Sequence, residues 1–134
     1  MADEAVCIET PTEFARYTIA AGAVLPIGTV CQLTDPNTAS AHSGDAQPFA
    51  GIVWGKASTA TDTFTEITCA LNGVWDMTDG GATSAIGEPV ATDGTANETR
   101  VAVAGDLLLG SVIGKALEAA SANEVFRVRV GRAI

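Results

Sequence analysis

The chain never runs far before a turn-forming cluster interrupts it. Asp35-Pro36-Asn37, the polar stretches 39–45 and 58–62, Asn72-Gly73, Thr78-Asp79-Gly80-Gly81 and Ser121-Ala122-Asn123 cut it into short pieces. Such residues gather at turns because glycine supplies positive φ, proline presets its own φ, and Asn or Asp bonds the nearby backbone. Pieces this short make poor helices, which are marginal in water below about 12–15 residues. Several pieces alternate apolar and polar instead. In 66–72, Ile67, Cys69 and Leu71 share one face; in 125–130, Phe126, Val128 and Val130 oppose Arg127 and Arg129. That is the period of a half-buried strand. The spacing predicts strands over 14–20, 29–33, 49–56, 66–72, 74–77, 87–91, 100–104, 107–116 and 125–130. Asn72-Gly73 reads as a two-residue hairpin turn joining 66–72 to 74–77. Pro89 marks an edge strand or a strand start. Residues 115–120 fit a strand running into a turn, with one helical turn as the alternative. Many short strands between turns imply a mainly β fold, a small barrel or sandwich with at most short helical turns.

Residues 1–13 show neither period and include Pro11. They read as an extended N-terminal arm, followed by one β-rich domain over 14–134. Of the 134 residues, 47% are hydrophobic but only 5% aromatic. The core is therefore built largely from small residues, and burial at a subunit interface would add to it.

One heptad occurs twice: GIVWGKA at 51–57 and GSVIGKA at 110–116, which also hold both lysines, Lys56 and Lys115. A phosphate-binding loop needs four residues between its glycines and a hydroxyl after the lysine. Here three residues intervene, and Ala57 or Ala116 follows. The residues between the glycines suit strands. The repeat therefore reads as architecture, its glycines marking bulges or close backbone approaches.

The formal charge of −9 disfavours nucleic-acid phosphates as partners. Residues 1–5 lack the pattern of a secretory signal, and the apolar stretch at 19–27 is too short to span a bilayer. The expectation is a soluble chain made in the cytoplasm, with no membrane partner. The three cysteines lack Cys-x-x-Cys spacing; Cys31 and Cys69 read as buried thiols and Cys7 as part of the arm.

No catalytic or cofactor constellation emerges, so an enzyme is not expected. His42, the only histidine, lies beside Ser43 and Asp45, but a triad converges from separate segments, so this reads as a solvated loop. Asp76 and Asp79 read as part of an Asp/Gly turn, with a paired-carboxylate site or weak calcium binding as the rivals; no His/Cys cluster offers transition-metal ligands. Asn97-Glu98-Thr99 matches a glycosylation acceptor by chance. Trp54 and Trp75 are either core or interface anchors. Arg127 and Arg129 either pair with a partner's acids or face water.

In this order the motifs resemble the capsid decoration (cement) proteins of tailed phages and related archaeal tailed viruses. The resembling pieces are residues 21–30, Leu33-Thr34-Asp35-Pro36, Phe49-Ala50-Gly51-Ile52-Val53, Asn72-Gly73-Val74-Trp75-Asp76, and 113–119 with 125–130. The resemblance implies a compact β-rich body, usually a homotrimer, on the outer surface of the virion head. There it clamps neighbouring subunits of the major capsid protein in the expanded shell. It also implies no active site or cofactor. The N-terminal arm, with Ala2, Asp3, Glu4, Ala5, Val6, Ile8, Glu9 and Phe14 as contact residues, would be mobile when free and ordered on the shell. The alternative is another structural virion part: a tail-tube, fibre-base or shell subunit.

Overall fold

The computed structural model describes residues 3–45, 47–81 and 85–131. They form strands β1 (Val6–Glu9), β2 (Phe14–Thr18), β3 (Val30–Asp35), β4 (Thr38–Ala41), β5 (Phe49–Val53), β6 (Glu66–Ala70), β7 (Gly73–Asp79), β8 (Pro89–Thr92) and β9 (Glu98–Val101). Helix α1 (Ala104–Leu109) then precedes β10 (Val112–Ala116) and β11 (Val125–Val130). The fold is mainly β, as expected, and it is built from two small closed barrels.

The barrels have the same strand order. Strands β2-β4-β3-β5-β6 close the first ring, in which β2 and β4 are parallel and every other pair antiparallel. The second ring, β7-β9-β8-β10-β11, is again closed by one parallel pair, β7 with β9. Strand starts at 14 and 73, 30 and 89, and 66 and 125 are each 59 residues apart. The repeated heptads share that offset and sit on the equivalent fourth strand of each ring, β5 and β10. Ile27-Gly28 and Ile86-Gly87 also correspond, and both glycines have positive φ, 93° and 84°. The repeat is thus the sequence trace of an internal duplication.

Alternation explains the core. Cys31, Val53, Ile67 and Cys69 fill the first barrel with Ile19, Leu25, Ala39 and Ala50. Their neighbours Val30, Ile52 and Ala70 join Trp75, Met77, Val90, Ile113, Phe126 and Val128 in a second cluster. One wall of the first barrel is therefore buried on both faces, and the barrels share apolar packing. The joint is also hydrogen-bonded. Val30 N–H donates to Asn97 Oδ1 at 2.9 Å, and Phe49 N–H to Gly110 O at 2.8 Å.

Several expectations are corrected. Asn72-Gly73 is no hairpin: β6 pairs with β2 and β5, while β7 pairs with β1, β9 and β11, so this turn crosses from one barrel to the other. Thr38–Ala41, expected in a polar loop, is strand β4, because the tight turn at Asn37 (φ 52°) folds it onto β3. The strand expected at 100–104 ends at Val101, and 107–109 are helical. Residues 115–120 follow the strand reading, with β10 returning through a turn as β11.

The N-terminal segment lies against the body. Strand β7 has one edge covered by β11, while its other edge meets β9 only at Thr78 and Asp79. Strand β1 fills the rest of that edge, with Val6 opposite Asp76 and Cys7 opposite Trp75. Ala5 is buried and donates its N–H to Gly28 O at 2.8 Å. Asn72 holds the following turn: its Oδ1 accepts from Thr12 N–H at 2.8 Å and Glu13 N–H at 3.1 Å. A free half-edge of ladder groups next to an apolar core is costly, and this pairing removes the cost. Ala2 lies outside the described residues.

Candidate functional site

The expected triad-like loop is not a site. His42 is buried, not solvated, because the β4–β5 connection packs against the β8–β9 turn of the second barrel. Its N–H donates to Val30 O at 3.0 Å, and its Nδ1 accepts from Asn97 N–H at 3.4 Å. Burial pushes the imidazole below its usual pKa, partly opposed by nearby backbone carbonyls. Asn97, the nominal glycosylation acceptor, is 1% exposed and serves this joint.

Asp76 and Asp79 point to different places. Asp76 faces Arg127 across the β7–β11 ladder, with Nε to Oδ1 at 3.5 Å, and Arg127 also lies 3.7 Å from Glu118. Arg127 is thus engaged within the chain. Asp79 is buried, and its Oδ1 accepts from Gly81 N–H at 3.2 Å. Among the described residues no three His, Cys, Asp or Glu side chains are arranged to hold a metal ion.

Asp3, Asp79 and Asp93 surround Glu98. Burial and the Asp3 carboxyl, which hydrogen-bonds to it, raise the Glu98 pKa, with repulsion from Asp93 and Asp79 adding to the effect. A raised carboxyl pKa favours the neutral form in the fold, so its stabilisation is present at low pH and lost as pH rises through the raised value. Glu98→Gln is therefore expected to stabilise the protein at pH 7, by less than about 1 kcal/mol because the group is partly solvated. The gain should vanish below the usual pKa of 4.5. Urea melts of both proteins across pH 3–8, as an order-of-magnitude range spanning that titration, check the sign; a variant less stable at pH 7 refutes it.

The tryptophans divide. Trp75 is 1% exposed and donates its indole N–H to Asn72 O at 3.0 Å, so it is core and no interface anchor. Trp54 is half-buried and bridges the barrels, T-shaped against Trp75 at 5.9 Å and tilted against Phe14 at 6.1 Å. Arg129 borders an open groove of about 530 Å³ between the barrel joint and the N-terminal segment, where Glu9, Glu13 and Asn72 also lie.

Among the described residues, the exposed apolar side chains include two groups close together in the chain, besides Val24, Ile27, Ile86 and Val125 elsewhere. Along β1 and the start of β2, Val6, Ile8 and Phe14 are 60%, 40% and 45% exposed. Among the described residues strand β1 pairs only with β7, so its outer backbone edge has no strand partner there. The second place is α1, where Leu107, Leu108 and Leu109 are 67%, 91% and 53% exposed, together about two whole leucine side chains. Covering them would contribute on the order of 3–6 kcal/mol before the costs of association.

A buried ion pair mounts α1. Asp106 is 1% exposed and takes both Arg100 guanidinium nitrogens at 2.8 Å, Val103 N–H at 2.7 Å and Ser111 Oγ at 2.9 Å. The Arg100 hydrogen bonds lead in lowering the Asp106 carboxyl to about 2, against opposition from burial. Gly110, at φ 73°, then ends the helix. Neither Arg100 nor Asp106 was singled out as a site from the sequence. The available signal was a lone acid in the apolar run VAVAGDLLLG, since a charge among apolar residues needs a partner.

These features define a mainly β, two-barrel protein with an open strand edge and a rigidly held apolar knob. No protein-family model matches the chain, and no curated protein matches it.

Proposed function

We propose that this is a viral capsid decoration protein, which binds the outside of an icosahedral head as a trimer and braces the expanded shell. The observation that carries the reading is β1: an edge strand whose outer side has no strand partner among the described residues, with exposed Val6 and Ile8, standing where an extended partner segment would add a strand. Main-chain bonds would supply affinity there, and Val6 and Ile8 the side-chain contacts. The order of sequence motifs supports the same reading. Weak contacts by each copy sum to firm attachment when the copies are linked.

Incubation with expanded heads lacking their decoration tests it. Saturable binding at a fixed ratio per capsomer is expected, and Val6→Lys with Ile8→Lys should weaken it at least tenfold while the β spectrum is unchanged. Absence of binding to any such shell overturns the proposal. Growth into tubes or shells without a partner would instead mark a tail-tube or shell subunit.

A further inference from the structure

We infer that α1 is the self-association surface of this protein, the leucines of each copy meeting those of its symmetry mates around a common axis. The inference deepens the proposed function and rests on its oligomeric reading. Three observations lead to it.

First, α1 is where the duplication breaks. By the offset of 59, Leu107-Leu108-Leu109 stand where the first barrel has Pro48-Phe49-Ala50. Those residues enter β5 directly, with Ala50 buried, whereas the second barrel turns outward into a helix before β10 begins.

Second, the helix is too short to persist alone. It is held from beneath by the Asp106 contacts and at its end by Gly110. The leucines are therefore presented in a fixed arrangement, and little order is lost when they are covered.

Third, charge selects the partner. In a chain of net charge −9, the exposed side chains across residues 103–110 are all uncharged; the one acid, Asp106, is buried and paired. A symmetric contact near its axis sets a patch against copies of itself. An acidic patch repels its own copy, while an apolar patch is its own complement. Val103, at the helix N-cap and 65% exposed, adds to the apolar area. That extension matters because the three leucines alone fall short of the roughly 800 Å² per partner of a standard interface.

The test is native mass spectrometry and sedimentation of the full chain without any shell. The wild type should form a closed oligomer, and Leu108→Asp should raise its dissociation constant about a hundredfold with an unchanged β spectrum. Leu108 is 91% exposed, so this change disturbs no core packing. As a second measurement, Leu108→Cys in a Cys7→Ser background should cross-link between copies with a short bismaleimide. A monomeric wild type, an oligomer indifferent to Leu108→Asp, or an oligomer that fails to cross-link each overturns the inference. Head binding is measured separately. If Leu108→Asp abolishes head binding but leaves the oligomer intact, the leucines face the shell and the inference falls while the decoration reading stands. If α1 drives assembly but no head binds the oligomer, the inference stands and the decoration reading falls.

Discussion

Asp106→Asn is expected to cost about 3 kcal/mol of stability, because Arg100 loses its buried partner and keeps only the exposed Asp45 carboxylate, 3.3 Å from its Nε. Arg100, whose side chain is 19% exposed, would keep its charge and lose its principal acceptor. For a chain of this size the melting temperature should fall by roughly 10–20 °C. The pH dependence gives a second reading. The Asp106 carboxyl ionises near 2 in the fold, against an ordinary 3.8. Its contribution is therefore complete above the ordinary value and is lost as pH falls through the lower one. That difference is worth about 2–3 kcal/mol. Thermal melts between pH 7 and pH 2 should show a steep acid limb in the wild type and a flatter one in Asp106→Asn. A variant within about 1 kcal/mol of wild type, with the same acid limb, would show that the pair does not hold α1.

Gly114→Ala is expected to be comparably damaging, at about 3 kcal/mol or more. A methyl group there would approach Arg129 O to 2.0 Å and Val130 Cα to 2.9 Å, both backbone atoms of the paired strand, which cannot swing away. Its repeat counterpart, Gly55, has φ 81° and open space around a new methyl, so Gly55→Ala should cost only about 1 kcal/mol of backbone strain. The order reverses at the other pair. A methyl on Gly51 would meet Cys69 Cβ at 2.7 Å and Ala70 O at 2.9 Å, whereas Gly110 (φ 73°) again has open space. Denaturant melts of the four alanine variants should separate Gly51 and Gly114 from Gly55 and Gly110. Four equal losses would refute this division of roles.

The contrast shows how far the sequence could be read. The repeated heptad marks two strands, and its glycines are where backbones crowd or turn, as expected. Which glycine does which depends on where each strand begins: β5 starts two residues before its heptad, and β10 starts two residues into it. No local pattern carries that phase. The alternation in 125–130 gave the right faces for Phe126, Val128 and Val130 because β11 has one wet side. Val30, Ile52 and Ala70 have no such simple signature, because their strands are buried on both sides where the barrels meet. Asn72-Gly73 misled for a related reason: positive φ, 101° at Gly73, is needed at a sharp crossing as much as in a hairpin. Of the candidate surface, Val6, Ile8 and Phe14 were legible as apolar residues near a polar N-terminus. Leu107 to Leu109 instead resembled a strand, since an apolar run does not say whether an arginine six residues before its acid will pin it into a helix.

The place of β1 carries a consequence for the order of events during synthesis. Within each barrel the closing parallel pair joins positions only some twenty residues apart, as with Thr18 and Thr38, or Thr78 and Glu98. Each ring can form soon after its own residues emerge, since nearby pairings cost little loop entropy. Val6 must wait for Asp76, about seventy residues later, and so for an entire finished barrel. Of all the ladders this one spans the longest stretch of chain, and among the strands amide hydrogen exchange should be fastest along residues 6–9.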